Sequence, residues 1–146
     1  MGYGKVLNQY RKTSIETSGR LDLVILCYEK AVLFLTQAKE HFKEKEFEKK
    51  AYKFQKALAI INELQRSLNM EQGGDIAKNL DSLYSHITKR LLAGDISKDL
   101  TSYDESIHIL NELKDAWQAI KAEDNPQENV YAKRNMLQSG VSCIAA

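Results

Sequence analysis

Between Leu58 and Leu92 two apolar patterns of helical period meet across a turn that contains the glycine pair Gly73-Gly74. Before the turn Leu58, Ile61, Leu64 and Leu68 recur at spacings of three and four, and after it Ile76, Leu80, Leu83, Ile87 and Leu91 do the same, the pattern of two amphipathic helices. Consecutive helices with one apolar stripe each bury both stripes by folding back on one another, so the segment predicts an antiparallel helix hairpin. Adjacent glycines accept the left-handed backbone that ends a helix, and Asp75 brings negative charge to the electropositive start of the next one. This reading ends helix two near Asn69 and starts helix three near Asp75.

The single proline is Pro126, so nothing between Leu21 and Ile120 forces a helix to stop. Helix one follows a plausible N-cap at Ser18 and carries Leu21, Val24, Tyr28, Ala31, Leu35, Ala38 and Phe42 in unbroken three-four spacing. Ile25, Val32 and Phe34 lie off that seam as a second stripe, which asks for a cover besides the bundle. Lys43 to Lys50 (KEKEFEKK) reads as an exposed loop leading into helix two, whose inner face is Phe47, Ala51, Phe54, Leu58, Ile61 and Leu68. Helix three is expected to end at Ala93-Gly94-Asp95, and Ser102 with Glu105 fits a capping box opening helix four. That helix continues through Tyr103, Ile107, Leu110, Leu113, Trp117 and Ile120. The predicted fold is all-α: an antiparallel up-and-down four-helix bundle over residues 20–121. It follows a polar leader, 1–19, and precedes a mobile tail, 122–146, with a short helix near Val130 to Leu137.

A chain of 146 residues, 43% hydrophobic and 28% charged, is sized for one soluble domain with a real core. A net charge of +1 offers no excess to neutralise phosphates, which argues against a nucleic-acid partner. The longest strongly apolar run, Leu23 to Leu26, falls far short of the roughly 20 residues of a membrane span, and the first residues lack a signal peptide's apolar region. A cytoplasmic protein without membrane insertion is expected. Cys27 and Cys143 stand far apart, without the spacing of a zinc site or a paired thiol. A di-iron bundle uses two Glu-x-x-His pairs, and only Glu105 with His108 matches. His86 beside Lys89 superficially suits phosphotransfer, but His86-Ile87-Thr88-Lys89-Arg90 lacks the glycine such sites use. His41, His86 and His108 therefore read as surface or boundary residues. No phosphate loop or nucleophile motif appears. The expectation is a noncatalytic protein without cofactor or metal.

The hairpin and its flanks resemble the FliS family of flagellin export chaperones. The resemblance rests on Tyr10 and Ile15-Glu16-Thr17 in the leader, on LDLVILCYEKAVLFLTQA in helix one, on SLNMEQGGDIAKNLDSLY within Ile60 to Leu92, and on Ala116-Trp117. It covers about Tyr10 to Ile120. Ser18-Gly19-Arg20 lacks a proline common before helix one, and Cys27 replaces a usual leucine. The resemblance implies a cytoplasmic chaperone that binds the disordered C-terminal segment of flagellin. It would prevent premature polymerisation and present its client to the flagellar type III export apparatus.

On that implication, the client's apolar side docks in a groove on the bundle. The residues expected to line it are Leu21, Val24, Ile25 and Tyr28 of helix one, Leu64 and Leu68 of helix two, and Ile76, Leu80, Leu83 and Tyr84 of helix three. Asn79 is expected to contact client backbone. Tyr10 and Ile15 would fill the groove as a lid when the client is absent. The alternative is a structural or signalling bundle that self-associates through helix one, as a homodimer for example, without an export client.

Overall fold

Three turns of three residues each set the path of the chain. The computed structural model describes residues 16–123, which form α1 (Glu16–Lys43), α2 (Phe47–Arg66), α3 (Met70–Ser97) and α4 (Thr101–Glu123). Asp22 of α1 pairs with Lys121 of α4 at 2.5 Å, and at the other end of the same two helices Lys39 pairs with Asp104 at 2.5 Å. Lys50 near the start of α2 meets Asp95 near the end of α3 at 2.6 Å. Each pair joins the start of one helix to the end of another, so α1 runs antiparallel to α4 and α2 to α3, in the expected up-and-down bundle. The helix α1 packs closely against both α2 and α4, whereas α3 is held less intimately by its neighbours.

The inner faces obey the predicted period. Leu21, Tyr28, Ala31, Leu35 and Ala38 of α1 have no exposed surface, and Phe54, Ala57, Ile61 and Leu64 of α2 face them. From α3 come Ala77, Leu80, Tyr84, Ile87 and Leu91, and from α4 Tyr103, Leu110 and Trp117, each seven residues after the last. Seven-residue spacing keeps a straight stripe toward the partner helices. Each buried leucine or isoleucine contributes about 1.5–3 kcal/mol of hydrophobic stabilisation.

Several helix ends depart from the sequence reading. Helix α1 already begins at Glu16, which places Ser18 inside its first turn instead of before it. It ends on Lys45, whose φ of 60° is left-handed, with the Glu46 amide donating to the His41 carbonyl (2.8 Å) and the Lys45 amide to that of Phe42 (3.1 Å). These two bonds form a Schellman motif with lysine where glycine is usual. The same motif closes α3: Lys98 has φ 59°, Asp99 N donates to Gly94 O (2.8 Å), and Lys98 N to Asp95 O (3.4 Å). Ala93-Gly94-Asp95 therefore lies within the last turns of α3 and does not end it.

The chain reverses over residues 67–69, one turn earlier than expected, because Asn69 caps α3 by accepting the Gln72 amide at 3.0 Å. Gly73-Gly74 is consequently not the reversal itself. Gly74 instead adopts φ 53°, ψ −132° inside α3 and kinks it after its first turn, in a region that side-chain-bearing residues avoid. A Cβ added there would meet nothing within 4 Å, so Gly74→Ala should fail through backbone strain alone. It is expected to cost about 1–3 kcal/mol in a thermal melt, and wild-type stability would show that α3 does not depend on the kink.

The capping box at Ser102 is also replaced. Asp99 Oδ1 accepts both the Thr101 amide (3.0 Å) and the Thr101 hydroxyl (2.6 Å), while buried Ser102 donates its hydroxyl to the Asp99 carbonyl (2.8 Å). These bonds hold the Asp99 carboxyl below its usual range, the side-chain bond from Thr101 being the main cause. Glu105 is engaged instead by Arg90, whose Nε lies 2.8 Å from Glu105 Oε2.

Candidate binding surface

The residues expected to line a groove converge on the end of the bundle where α2 stops and α3 begins, and they divide into a floor and a rim. Leu21, Ile25, Tyr28, Leu64, Leu80 and Tyr84 are buried in the core and form the floor. Val24, Leu68, Leu83 and Ile76 are half-buried, the first three packed against that core, and Asn79 is exposed. Met70, in the first turn of α3 beside the reversal, adds an apolar side chain 45% exposed that the sequence pattern did not single out. Tyr10 and Ile15 lie outside the described residues, as do Cys143 and the short helix expected near Val130 to Leu137.

The second stripe of α1 also sorts differently. Ile25 faces the core, and Val32 and Phe34 are half-buried against it, while the large apolar residues left open on this helix are Leu26 and Leu33. A helix period alone does not distinguish a residue just inside the seam from one just outside it, because neighbouring positions differ by only about 100° around the axis.

Beneath the rim the Tyr28 and Tyr84 hydroxyls hydrogen-bond to one another across the core, joining the diagonally placed α1 and α3. Burial pushes the Tyr28 phenol up to about 12 and outweighs its hydrogen bond with Tyr84. Burial raises Tyr84 further, and the neighbouring Tyr28 adds to the rise. The Trp117 indole N–H lies near enough to favour a charged Tyr28 slightly, yet it has no partner in proper hydrogen-bond geometry. The tyrosine pair is the contact here that has hydrogen-bond geometry.

Between α2 and α3 the surface opens into a cleft of about 600 Å3 lined by Ala59, Asn62, Gln65, Arg66 and Asp81. Gln65 Nε2 in its lining lies 2.9 Å from Asp81 Oδ1 and 2.9 Å from Ser85 Oγ. Sequence reasoning missed this cleft. The available signal was polar spacing, since Asp81 and Ser85 are one helical turn apart on the side of α3 that faces α2.

Among the described residues no group of three or more His, Cys, Asp or Glu side chains is placed to hold a metal ion. Glu105 and His108 are engaged separately, His108 Nε2 lying 3.1 Å from Glu112 Oε1. Cys27 is buried. No described helix is long and apolar enough to cross a membrane. The arrangement offers a preformed apolar rim on a rigid floor, which suits recognition of an amphipathic segment.

A family model described as flagellar protein FliS matches residues 3–124. The chain is 33% identical over 121 residues to the flagellar secretion chaperone FliS of Vibrio cholerae, covering 80% of this chain and 89% of that protein. It is 32% identical over 120 residues to the flagellar secretion chaperone FliSB of Pseudomonas aeruginosa, covering 80% and 95% respectively. To the flagellar secretion chaperone FliS of Salmonella typhimurium it is 27% identical over 128 residues, covering 84% and 95%.

Proposed function

Because this chain belongs to the FliS family, a family of chaperones and not of enzymes, we propose that it is a cytoplasmic flagellar secretion chaperone whose client is the disordered C-terminal segment of flagellin. It holds that segment back from premature polymerisation and hands it to the flagellar type III export apparatus. The observation that carries this reading is the family match across residues 3–124. The apolar rim of Val24, Leu68, Ile76 and Leu83 above a packed floor supports it.

The physical scheme is coupled folding and binding. A disordered client loses chain entropy as it orders, and burial of about 1,000–3,000 Å2 typically compensates. A surface that is already built keeps the cost on the chaperone side low. Leu68 lies in the α2–α3 reversal and Met70 directly follows it, so a client helix lying along the rim meets side chains whose backbone is fixed by the Asn69 cap. Asn79, exposed one turn beyond Ile76, supplies an amide for client backbone. In this scheme Tyr10 and Ile15, which precede α1 and lie outside the described residues, occupy the rim until the client displaces them.

Calorimetric titration with a flagellin C-terminal peptide tests the proposal. Wild-type protein should release or absorb heat and order the peptide. Leu68→Asp and Met70→Asp should each weaken binding at least tenfold, about 1.4 kcal/mol, because an unpaired carboxylate would be desolvated at the contact. Met70 is the more exposed of the two, so its variant should melt as the wild type does and separates lost binding from lost folding. A wild-type protein that neither binds nor orders the peptide, but gains mass with concentration alone, would replace this reading with the self-associating bundle.

A further inference from the structure

On the outer side of the α1–α2 pair, away from the rim, two ammonium groups share two aromatic rings. Lys53 Nζ lies 5.4 Å from the centre of the Phe34 ring and 5.8 Å from that of Tyr52. Lys56 Nζ lies 5.8 Å and 4.9 Å from the same two rings. Tyr52 is 57% exposed, and Leu33, next to Phe34 on α1, is 44% exposed. Unlike Lys39, Lys49, Lys50 and Lys121, neither lysine meets a carboxylate among the described residues. The ring faces attract the ammonium groups and hold them, but they do not cancel the charge. Two like charges one helical turn apart repel one another, and a carboxylate placed between them would relieve that repulsion.

From this juxtaposition we infer that the Phe34–Tyr52–Lys53–Lys56 patch is a second docking surface, whose occupant is an acidic, amphipathic segment of a partner protein. Its carboxylates would sit between the ammonium groups while an apolar side chain covers Leu33 and the Tyr52 ring. The choice of protein over nucleic acid follows from charge. The chain carries only +1 overall, and the local excess of two cations matches one or two carboxylates better than a run of phosphates. The assignment stands on residues separate from the rim and does not depend on the identity of the client there.

Amide chemical-shift mapping on the full chain, with a synthetic amphipathic peptide bearing Glu on one face and Leu on the other, tests it. Shifts should cluster at residues 33–34 and 52–56, and affinity should fall as salt rises. The double variant Lys53→Gln/Lys56→Gln should bind at least tenfold more weakly with an unchanged melting temperature, and Tyr52→Ala should weaken binding independently of salt. A peptide with Lys in place of Glu should not bind. Absence of shifts at the patch, equal binding by the Lys peptide, or tighter binding of single-stranded RNA would each overturn the assignment. Displacement of the acidic probe by the flagellin C-terminal peptide would overturn it as a second surface.

Discussion

Raising the pH from about 9 to about 12 should unfold the bundle, and most of the loss should trace to the Tyr28–Tyr84 pair. In the unfolded chain a tyrosine releases its proton near pH 10, whereas burial holds Tyr28 neutral up to about 12 and Tyr84 and Tyr103 also above their ordinary range. Folded-state values above the unfolded ones mean that the folded protein binds more protons through this interval. The stabilisation is therefore complete below pH 10 and is lost as pH climbs through the folded values. For Tyr28 alone, a rise from the ordinary value to about 12 corresponds to a few kcal/mol, on the order of 3, a large share of the 5–15 kcal/mol typical of a domain. Urea midpoints measured from pH 8 to pH 12 should fall steeply above pH 10. Tyr28→Phe/Tyr84→Phe removes both partners together and leaves no orphaned hydroxyl, so it should be nearly neutral at pH 7 and clearly flatter in alkali. The Tyr103 titration is common to both proteins, so parallel curves for wild type and variant would sink the idea.

Gly94→Ala should destabilise the fold even though alanine is the better helix former. A Cβ at this position would lie 2.0 Å from Ser102 Oγ, 2.4 Å from Ser102 Cβ and 3.1 Å from the Asp99 carbonyl oxygen. The hydroxyl could turn aside, but the Ser102 Cβ is fixed to its backbone, so α3 and α4 would have to part. Gly94 O also accepts the Asp99 amide that closes α3, and the displacement would reach that bond too. Overpacking costs about 1–3 kcal/mol, and with the strain at its upper end the roughly 1 kcal/mol gained from helix propensity leaves a net loss of about 2 kcal/mol. Removing the obstruction with Ser102→Gly in the same chain should restore part of it, a coupling that a double-mutant cycle reads directly. A Gly94→Ala protein as stable as wild type would show that the helices separate freely there.

Both glycines also explain which parts of the fold were legible in the sequence. The four apolar stripes were, because burial on a helix repeats every three or four residues whatever the neighbours do, and Tyr103, Leu110 and Trp117 stand where the period puts them. The helix ends were not. Glycine is read as a terminator because it accepts positive φ, yet the left-handed residues that close α1 and α3 are Lys45 and Lys98, while Gly94 serves a close approach and Gly74 a kink. Nothing local distinguishes these uses. The proposed groove was legible as a neighbourhood only, since Leu64 and Leu68 share one stripe but only Leu68 reaches the rim. Features that depend on two helices meeting, such as the Gln65 cleft and the lysines over Phe34 and Tyr52, are set by interhelical register, and no single-helix period contains that information.

The ion pair between Asp22 and Lys121 has a topological consequence. It joins the first turns of α1 to the last turns of α4, so the polypeptide enters and leaves the bundle at one pole, a side-chain pair apart. The opposite pole carries only the turns at 44–46 and 98–100. Two ends so close make the bundle a closed ring in all but one covalent link. A short linker from α4 back to α1 would complete that ring, and new termini opened within 44–46 would leave every helix and every interhelical contact in place. Helix order along the chain is thus one of several equivalent ways of cutting the same circle.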